Sequence, residues 1–544
     1  MAIGVALLGL LVAGGEPPPT AVHALAFVND PLSHGVLGDA LLSLDEAIRL
    51  HNGTLLSAQL SPGELAQLSL IPGTGATTFV SWIDIDGTNT PVITVEQDLT
   101  PIANTTWGLL IKGFGDLPVI DFSAPGLQHG LRAPTNALVL QDLVLSGGVY
   151  GVDVTQTDVT GQPGVVLSNV RFENHAQFGL RVNALTAGGT GRVILERCRF
   201  DNVHTAVETD ESGGSRISIF EAHEVDVAGA SFGITAKLGA GGSTRYTFDR
   251  VTIDAVTAGI RIQRVPTANR PAYVEGSFVR VRALDAVDID CHGVGATWLQ
   301  LHLWNVRTTG GGGAMIVGPG AVFGDITEVV VEGNFGVSSD GGPAPITMHN
   351  LRFRNSYAAV SPFAGQTMTM RESRFDGGGL LVLGSAPLFA SDCCFVGATL
   401  SAGPSSPMLL TNCYAPVLGP SVTSWSPSPV EHLGSMSITP ENVALGASVT
   451  FVADLPPGLV GYFALGFTDP TPTELQPGLW AYVDLTQFAF APGSYQLQQS
   501  FTWNTPASIV FLGTDLTVQM VVLPGTVPSA PWAQLPPGRR FVLQ

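Results

Sequence analysis

The sequence predicts an all-β chain: a parallel β-helix solenoid with short helices on its N-terminal side and a separate β-sandwich after it. Three observations carry this. A degenerate motif recurs every 20–28 residues between about 135 and 420. Each copy alternates apolar and polar residues with the strand period of two. Gly and Pro, 65 and 38 of 544 residues, punctuate the alternating runs. Charged residues are only 12% of the chain, about half the usual share. That excludes a helix-rich enzyme whose surfaces are dressed with Glu and Lys. The net charge of −20 argues against nucleic acid or an anionic membrane as partner, because both need clustered Lys and Arg.

At the N-terminus, residues 1–20 begin with an apolar run that is too short to span a bilayer and is followed by small residues and Glu16-Pro-Pro-Pro19. This fits a secretory signal, although the usual positive start is missing. No membrane-spanning segment is expected, and the localisation expected is secreted, extracellular or cell-surface. Residues 21–80 form an N-terminal cap. Ser43-Leu-Asp-Glu46 is a capping box, with Leu44, Ala47, Ile48 and Leu50 at helical spacing up to Gly53. Ser61-Pro-Gly-Glu64 is a second one, with Pro62 at the first helical position. Two short helices here are placed to cover the open edge of the first coil.

Residues 81–415 carry the repeat. Its clearest copies are Asn169-Val-Arg-Phe-Glu-Asn174, Arg197-Cys-Arg-Phe-Asp-Asn202, Asn350-Leu-Arg-Phe-Arg-Asn355 and Glu372-Ser-Arg-Phe-Asp-Gly377. The small apolar position falls at 143, 170, 198, 223, 251, 279, 304, 329, 351, 373, 393 and 413. A second short strand follows in most copies, as in Gly179-Leu-Arg-Val182 and Gly259-Ile-Arg-Ile262. No copy holds the ten or more residues of helical period that a leucine-rich or helical repeat needs, so the strands stack in parallel. Cys198, Cys393 and Cys413 fall on the inward position and read as small buried hydrophobes. Cys394 is expected to face outward and Cys291 to lie in a turn; a Cys393–Cys413 bridge between adjacent coils is open. His223 and Trp304 also fall on the inward position, which makes His223 a satisfied core histidine.

At these motifs the chain resembles the right-handed parallel β-helix (pectin-lyase-like) superfamily of secreted bacterial proteins. In that family an Asn often ends the strand after the large apolar residue, and Asn174, Asn202, Asn334 and Asn355 stand there. The segment Leu42-Ser-Leu-Asp-Glu-Ala-Ile-Arg49 is similar to the helix that opens many of its members. The resemblance covers roughly 80–420 and implies the fold. Lyases of this fold use Ca2+-holding carboxylates and a basic residue, and its galacturonan hydrolases use clustered Asp residues. The hydrolase signatures are not present here as a set; Cys291-His-Gly293 and Arg261-Ile-Gln263 are partial echoes in the wrong order.

Residues 416–432 are a Pro/Ser linker. Residues 433–544 hold seven or eight alternating runs with Pro/Gly turns, among them Ser448-Val-Thr-Phe-Val-Ala453 and Leu516-Thr-Val-Gln-Met-Val-Val-Leu523. They read as an Ig-like β-sandwich.

The most site-like cluster is Asp285, Asp288, Asp290 and His292, with Arg261, Arg264, Arg280 and Arg282 one coil away. Such groups can hold an anionic sugar and move a proton; mutual neutralisation across neighbouring coils is the plainer account. An enzyme would use Asp288, Asp290 and His292. Glu208, Asp210 and Glu211 are the candidate Ca2+ ligands, and no other cofactor is expected. Asp84-Ile-Asp-Gly-Thr-Asn89 lacks the third carboxylate and distal Glu of a calcium loop and reads as a strand ending in a turn. The function expected first is a non-catalytic secreted or cell-surface structural or adhesive protein. Self-association into a homopolymer, as extracellular filaments or a surface layer, fits that role. The alternative is a carbohydrate-active enzyme, a lyase or epimerase, or a carbohydrate-binding protein acting on an extracellular acidic polysaccharide.

Overall fold

A computed structural model of the chain describes residues 21–34, 37–70, 77–104, 108–134, 138–156, 164–184, 190–211, 216–239, 244–264, 272–290, 298–318, 321–339, 345–362, 364–403, 405–413, 422–427, 436–439, 443–453, 461–476, 479–490, 500–508, 514–522 and 539–543. The apolar segment 1–20, Cys291 and His292 lie outside the described residues. Two compact units are present, Met1–Gly324 with Val331–Ala344, and Asp325–Val330 with Pro345–Gln544. The division falls inside the 81–415 range and not at the Pro/Ser segment.

In the first unit each coil adds one strand to each of three parallel ladders. The first ladder runs through the opening halves of Leu138–Ser146 and Val165–Glu173, then Thr190–Glu196, Arg216–His223 and Thr244–Asp249. The second uses the closing halves of the first two strands, then Arg199–Asp201 and the first part of Asp226–Leu238. The third stacks Tyr150–Gln156, Phe178–Ala184, Thr205–Asp210, the end of Asp226–Leu238, and the ends of Thr252–Arg264 and Arg280–Asp290. Parallel pairing starts as early as Ala21–Val28, which pairs with Thr77–Asp86, within the segment expected to be a cap.

One backbone device separates the first ladder from the second. Asp142, Asn169, Arg197, Glu224, Arg250, Phe278 and Asn305 all have φ between 49° and 55°, in the left-handed region that L-residues other than Asn and Asp enter at a cost. Each of these residues bends the chain and adds one position to the alternation. The inward residue that follows is therefore Val225 or Val306, both buried, and not His223 or Trp304. Counting by twos across the bend misplaces those two by one phase. His223 is half-exposed and pairs with Asp249 at 3.7 Å, which raises its pKa against the effect of burial. Trp304 is half-buried, with its ring edge-on to Phe278 at 4.6 Å. Successive bend residues can also bond: Asn169 Nδ2 donates to Asp142 Oδ1 at 2.7 Å. Arg197 holds the next such position, is largely exposed, and makes only long contacts there. Arg197→Asn is expected to stabilise the unit by about 0.5–1 kcal/mol by lowering the left-handed cost, read as a higher denaturant midpoint; an unchanged or lower midpoint would show that the bend carries no strain.

The N-terminal helices α1 (Leu44–His51) and α2 (Pro62–Leu65) both have capping boxes, from Ser43/Glu46 and Ser61/Glu64. Helix α1 is fixed by side chains. His51 Nδ1 meets the Val80 carbonyl at 2.6 Å, Asp45 accepts from the Thr100 N–H, and Asn52 Nδ2 donates to the Pro101 carbonyl. Asn104 Nδ2 donates to the His51 carbonyl, so the side-chain amides of Asn52 and Asn104 are both engaged in the fold. Thr77–Asp86 ends in a turn in which Asp86 accepts from the Thr88 N–H and from Asn89, as the Asp-Gly pair predicts.

The second unit repeats the coil with shorter strands. Ile346–His349, Met368–Arg371, Leu388–Ser391 and Met408–Cys413 form one parallel ladder. Arg352–Arg354, Arg374–Asp376 and Cys394–Val396 form another, and Tyr357–Ser361, Gly379–Val382 and Thr399–Ala402 a third. Phe353, Phe375 and Phe395 stack inside at 4.1 and 5.1 Å between centroids. Cys394, expected outside, is buried, beside Arg374 in the ladder. Part of the expected 416–432 linker is a further rung: Val422–Pro427 pairs in parallel with Met408–Cys413, covering an edge that would otherwise be left unpaired. Beyond it, Met436–Thr439, Ser448–Ala453 and Ser500–Asn504 form one antiparallel sheet. Leu479–Phe490, Gly461–Gln476, Asp515–Val522 and Arg539–Val542 form a second, in that order. The two sheets share a buried cluster that includes Val449, Phe451, Phe463, Phe501 and Val518.

Candidate functional site

The third ladder of the first unit carries the densest chemistry. One outward position per coil is filled by Arg132, Asp153, Arg181, Glu208, Thr235, Arg261 and Asp288, each in register with the next. The signs alternate, broken only at Thr235. Coils spaced about 4.8 Å apart bring opposite charges into contact: Arg181 is 3.9 Å from Glu208, and Arg261 Nε is 3.3 Å from Asp288. Lys237 on the adjoining row lies 3.4 Å from both Glu208 and Asp210.

Where the row is broken, the short Thr235 side chain leaves space between Glu208 and Arg261. An open groove of about 520 Å3 occupies it, lined also by Phe178, His204, Phe232 and Lys237. The rings come from the outward residue that opens the third strand of a coil. Arg261 sits 5.9 Å over the Phe232 ring, and His204 packs on the same ring at 5.4 Å. Beyond Phe178 the strip continues as stacked rings, Phe178 on Tyr150 and Tyr150 on His129, each at 5.5 Å. The Arg181 guanidinium lies 5.6–5.7 Å over the Phe178 and Tyr150 rings.

At the far end of that strip three buried polar atoms lack a hydrogen-bond partner: His129 Nδ1, Arg132 Nε and Asp153 Oδ1. Burial raises the Asp153 carboxyl above its ordinary value in spite of the opposing charges of Arg181, His129 and Arg132. Buried polar atoms without a protein partner are ordinarily met by water or by a ligand.

Of the sequence candidates, Asp285 and Asp288 stand on this ladder, both paired with Arg261, and Asp285 also accepts from the Gly313 N–H. Asp290 ends the strand Arg280–Asp290, and its side chain, like that of Arg264 and all of His292, lies outside the described residues. Arg280 and Arg282 do not join the cluster: they belong to the second ladder, where Arg282 pairs with Asp254. The three candidate Ca2+ ligands separate in the same way. Glu208 and Asp210 face Lys237, while Glu211 is buried and accepts from Thr244 and Tyr246 at 3.3–3.4 Å. Among the described residues no group of three or more His, Cys, Asp or Glu is arranged to hold a metal ion. Sequence reasoning missed the rings. Their signal was an aromatic at 150, 178 and 232, one or two coil steps apart, each two residues before a buried residue, Val152, Leu180 and Ile234, so that strict alternation places the rings inside.

No known protein family, no curated protein and no solved structure matches the chain.

Proposed function

We propose that the protein is a non-catalytic extracellular adhesive solenoid, a right-handed parallel β-helix of the pectin-lyase-like kind, that holds a sugar chain on its third face. The observation that carries this is the open groove between Phe178 and Phe232, in which the charged side chains are already ion-paired. Ring faces accept the apolar face of a pyranose, and hydroxyls suit the unpartnered atoms of His129, Arg132 and Asp153. A net charge of −20 repels polyanions at long range, so an uncharged glycan is favoured over an acidic one.

A second reading, turnover of a polysaccharide, has one observation behind it: Asp153, a carboxyl made more basic by burial, stands beside His129 and Arg181. Thermal unfolding with a panel of neutral and acidic polysaccharides separates the two. The adhesive reading expects a neutral glycan to raise the midpoint, by the equivalent of about 2.7 kcal/mol at a hundredfold excess over Kd. Phe232→Ala is expected to weaken that binding roughly tenfold, with no new chain ends formed. Product release that Asp153→Asn abolishes would replace the adhesive reading with the enzymatic one. No shift with any glycan would end both.

A further inference from the structure

Cys393 and Cys413 occupy the same inward position on consecutive coils of the second unit, and both are fully buried. The Cys393 N–H donates to Cys413 Sγ at 3.4 Å. Each thiol also donates to a carbonyl two residues back, Ser391 at 3.2 Å and Thr411 at 3.3 Å. Their flanking strands Leu388–Ser391 and Met408–Cys413 are paired in parallel register. Neighbouring strands lie about 4.8 Å apart, within the roughly 4.4–6.8 Å between Cα atoms that a disulfide spans.

We propose that Cys393 and Cys413 are a redox modification site that closes an inter-coil disulfide by exchange with a small-molecule or protein disulfide. One thiolate attacks the oxidant's disulfide, forming a mixed disulfide and releasing one oxidant thiolate. The second cysteine then displaces the other oxidant sulfur and completes the intramolecular bond. The chain loses two electrons and two protons, and the oxidant gains them as two thiols. Burial and the neighbouring Cys413 push the Cys393 thiol well up, so exchange proceeds while these coils are folding or locally open and not in the closed stack. The bridge would tie the coil bearing Met408–Cys413 to the one before it, late in the parallel stack, where a solenoid has few neighbours to hold it. Cys394 opens the next strand in register with Arg374, and Cys198 stands alone in its coil, bonded to the Leu167 and Glu196 carbonyls.

The test is to refold the full chain in glutathione buffers of graded oxidised-to-reduced ratio, alkylate free thiols under denaturing conditions, and map the fragments. Cleavage after Met408 separates Cys413 from the other two cysteines of this region. Cys393 and Cys413 are expected to lose alkylation together and to leave their fragments linked, while Cys198 and Cys394 stay alkylated. Cys394→Ala is expected to keep the link. In the oxidised protein, proteolysis within 388–427 is expected to slow by roughly tenfold or more. Full alkylation of Cys393 and Cys413 in refolded, oxidised protein would overturn the proposal, and so would a Cys394–Cys413 link or glutathione held as a mixed disulfide. The wild-type map decides alone if Cys393→Ala does not fold.

Discussion

Phe375→Ala is expected to cost about 3–5 kcal/mol, a large part of the 5–15 kcal/mol typical of a folded domain. The side chain is fully buried and lies between two other rings, with centroids 4.1 Å from Phe353 and 5.1 Å from Phe395. Its removal opens a cavity that the β-ladders on either side cannot collapse to fill, because ladder hydrogen bonds fix the coil spacing. It also breaks two ring contacts at once. Stability in a stacked repeat is largely a sum over neighbours, so the loss is expected to be local. Hydrogen exchange should show amides of Ile346–His349, Met368–Arg371 and Leu388–Ser391 deprotected first, with those of Val165–Glu173 unchanged. Phe389→Ala is the control, because that ring is 41% exposed and its loss should stay within about 0.5 kcal/mol. Equal effects from the two substitutions would mean that the stacked rings do not hold the coil.

The stack itself was readable because an interior position recurs once per coil and must be apolar each time. Phe172 and Phe200, stacked at 4.7 Å with a 5° interplanar angle, are two such copies. What blurred the register was the left-handed bend residue. It is neither Gly nor consistently Asn: Arg, Glu and Phe hold it too, so no residue type marks where the phase slips. His223 and Trp304 were misplaced for that reason. The rung Val422–Pro427 was hidden by Pro and Ser, which look like a linker although the backbone there only has to complete one ladder. The groove was harder still. A charge row can be read from the sequence only once the registers are known, and the gap at Thr235 that opens the groove is a short side chain among long ones. Of the acidic candidates only Glu208 lines the groove; Asp210, Asp285 and Asp288 are held by partners one coil away, Lys237 and Arg261. Burial alone took Glu211 out of the surface patch.

Acid is expected to destabilise the first unit through two histidines, in a window bounded by their folded and unfolded pKa values. His51 and His175 are both buried, and burial outweighs the nearby backbone carbonyls to pull each pKa from 6.5 down to about 4. In each ring one nitrogen meets a carbonyl: His51 Nδ1 lies 2.6 Å from Val80 and His175 Nε2 lies 3.1 Å from Leu145. His51 Nε2 has no hydrogen-bond partner, so its protonation would bury an N–H+ with no acceptor; at His175 the Gly147 and Leu145 backbone favours the proton but does not offset burial. Above pH 6.5 both rings are neutral, folded or unfolded, and neither term acts. As pH falls from 6.5 toward 4 the unfolded chain binds the two protons and the folded unit does not, so stability drops with pH, by roughly 3 kcal/mol per histidine in all. Below about 4 the folded rings protonate as well and the loss levels off. The carboxyls of Asp30 and Glu46, buried, and of Asp84 and Asp153, half-buried, act in the opposite sense. Burial raises their folded pKa values, so protonating them in acid favours the folded unit and masks part of the histidine effect. The histidine contribution is therefore read as a difference, from denaturant midpoints of wild type, His51→Gln and His175→Gln between pH 7.5 and 4. Each variant should be the less stable at pH 7.5 and should lose less than wild type as the pH falls, because glutamine does not titrate. Parallel pH curves for wild type and both variants would show that neither imidazole is kept neutral by the fold.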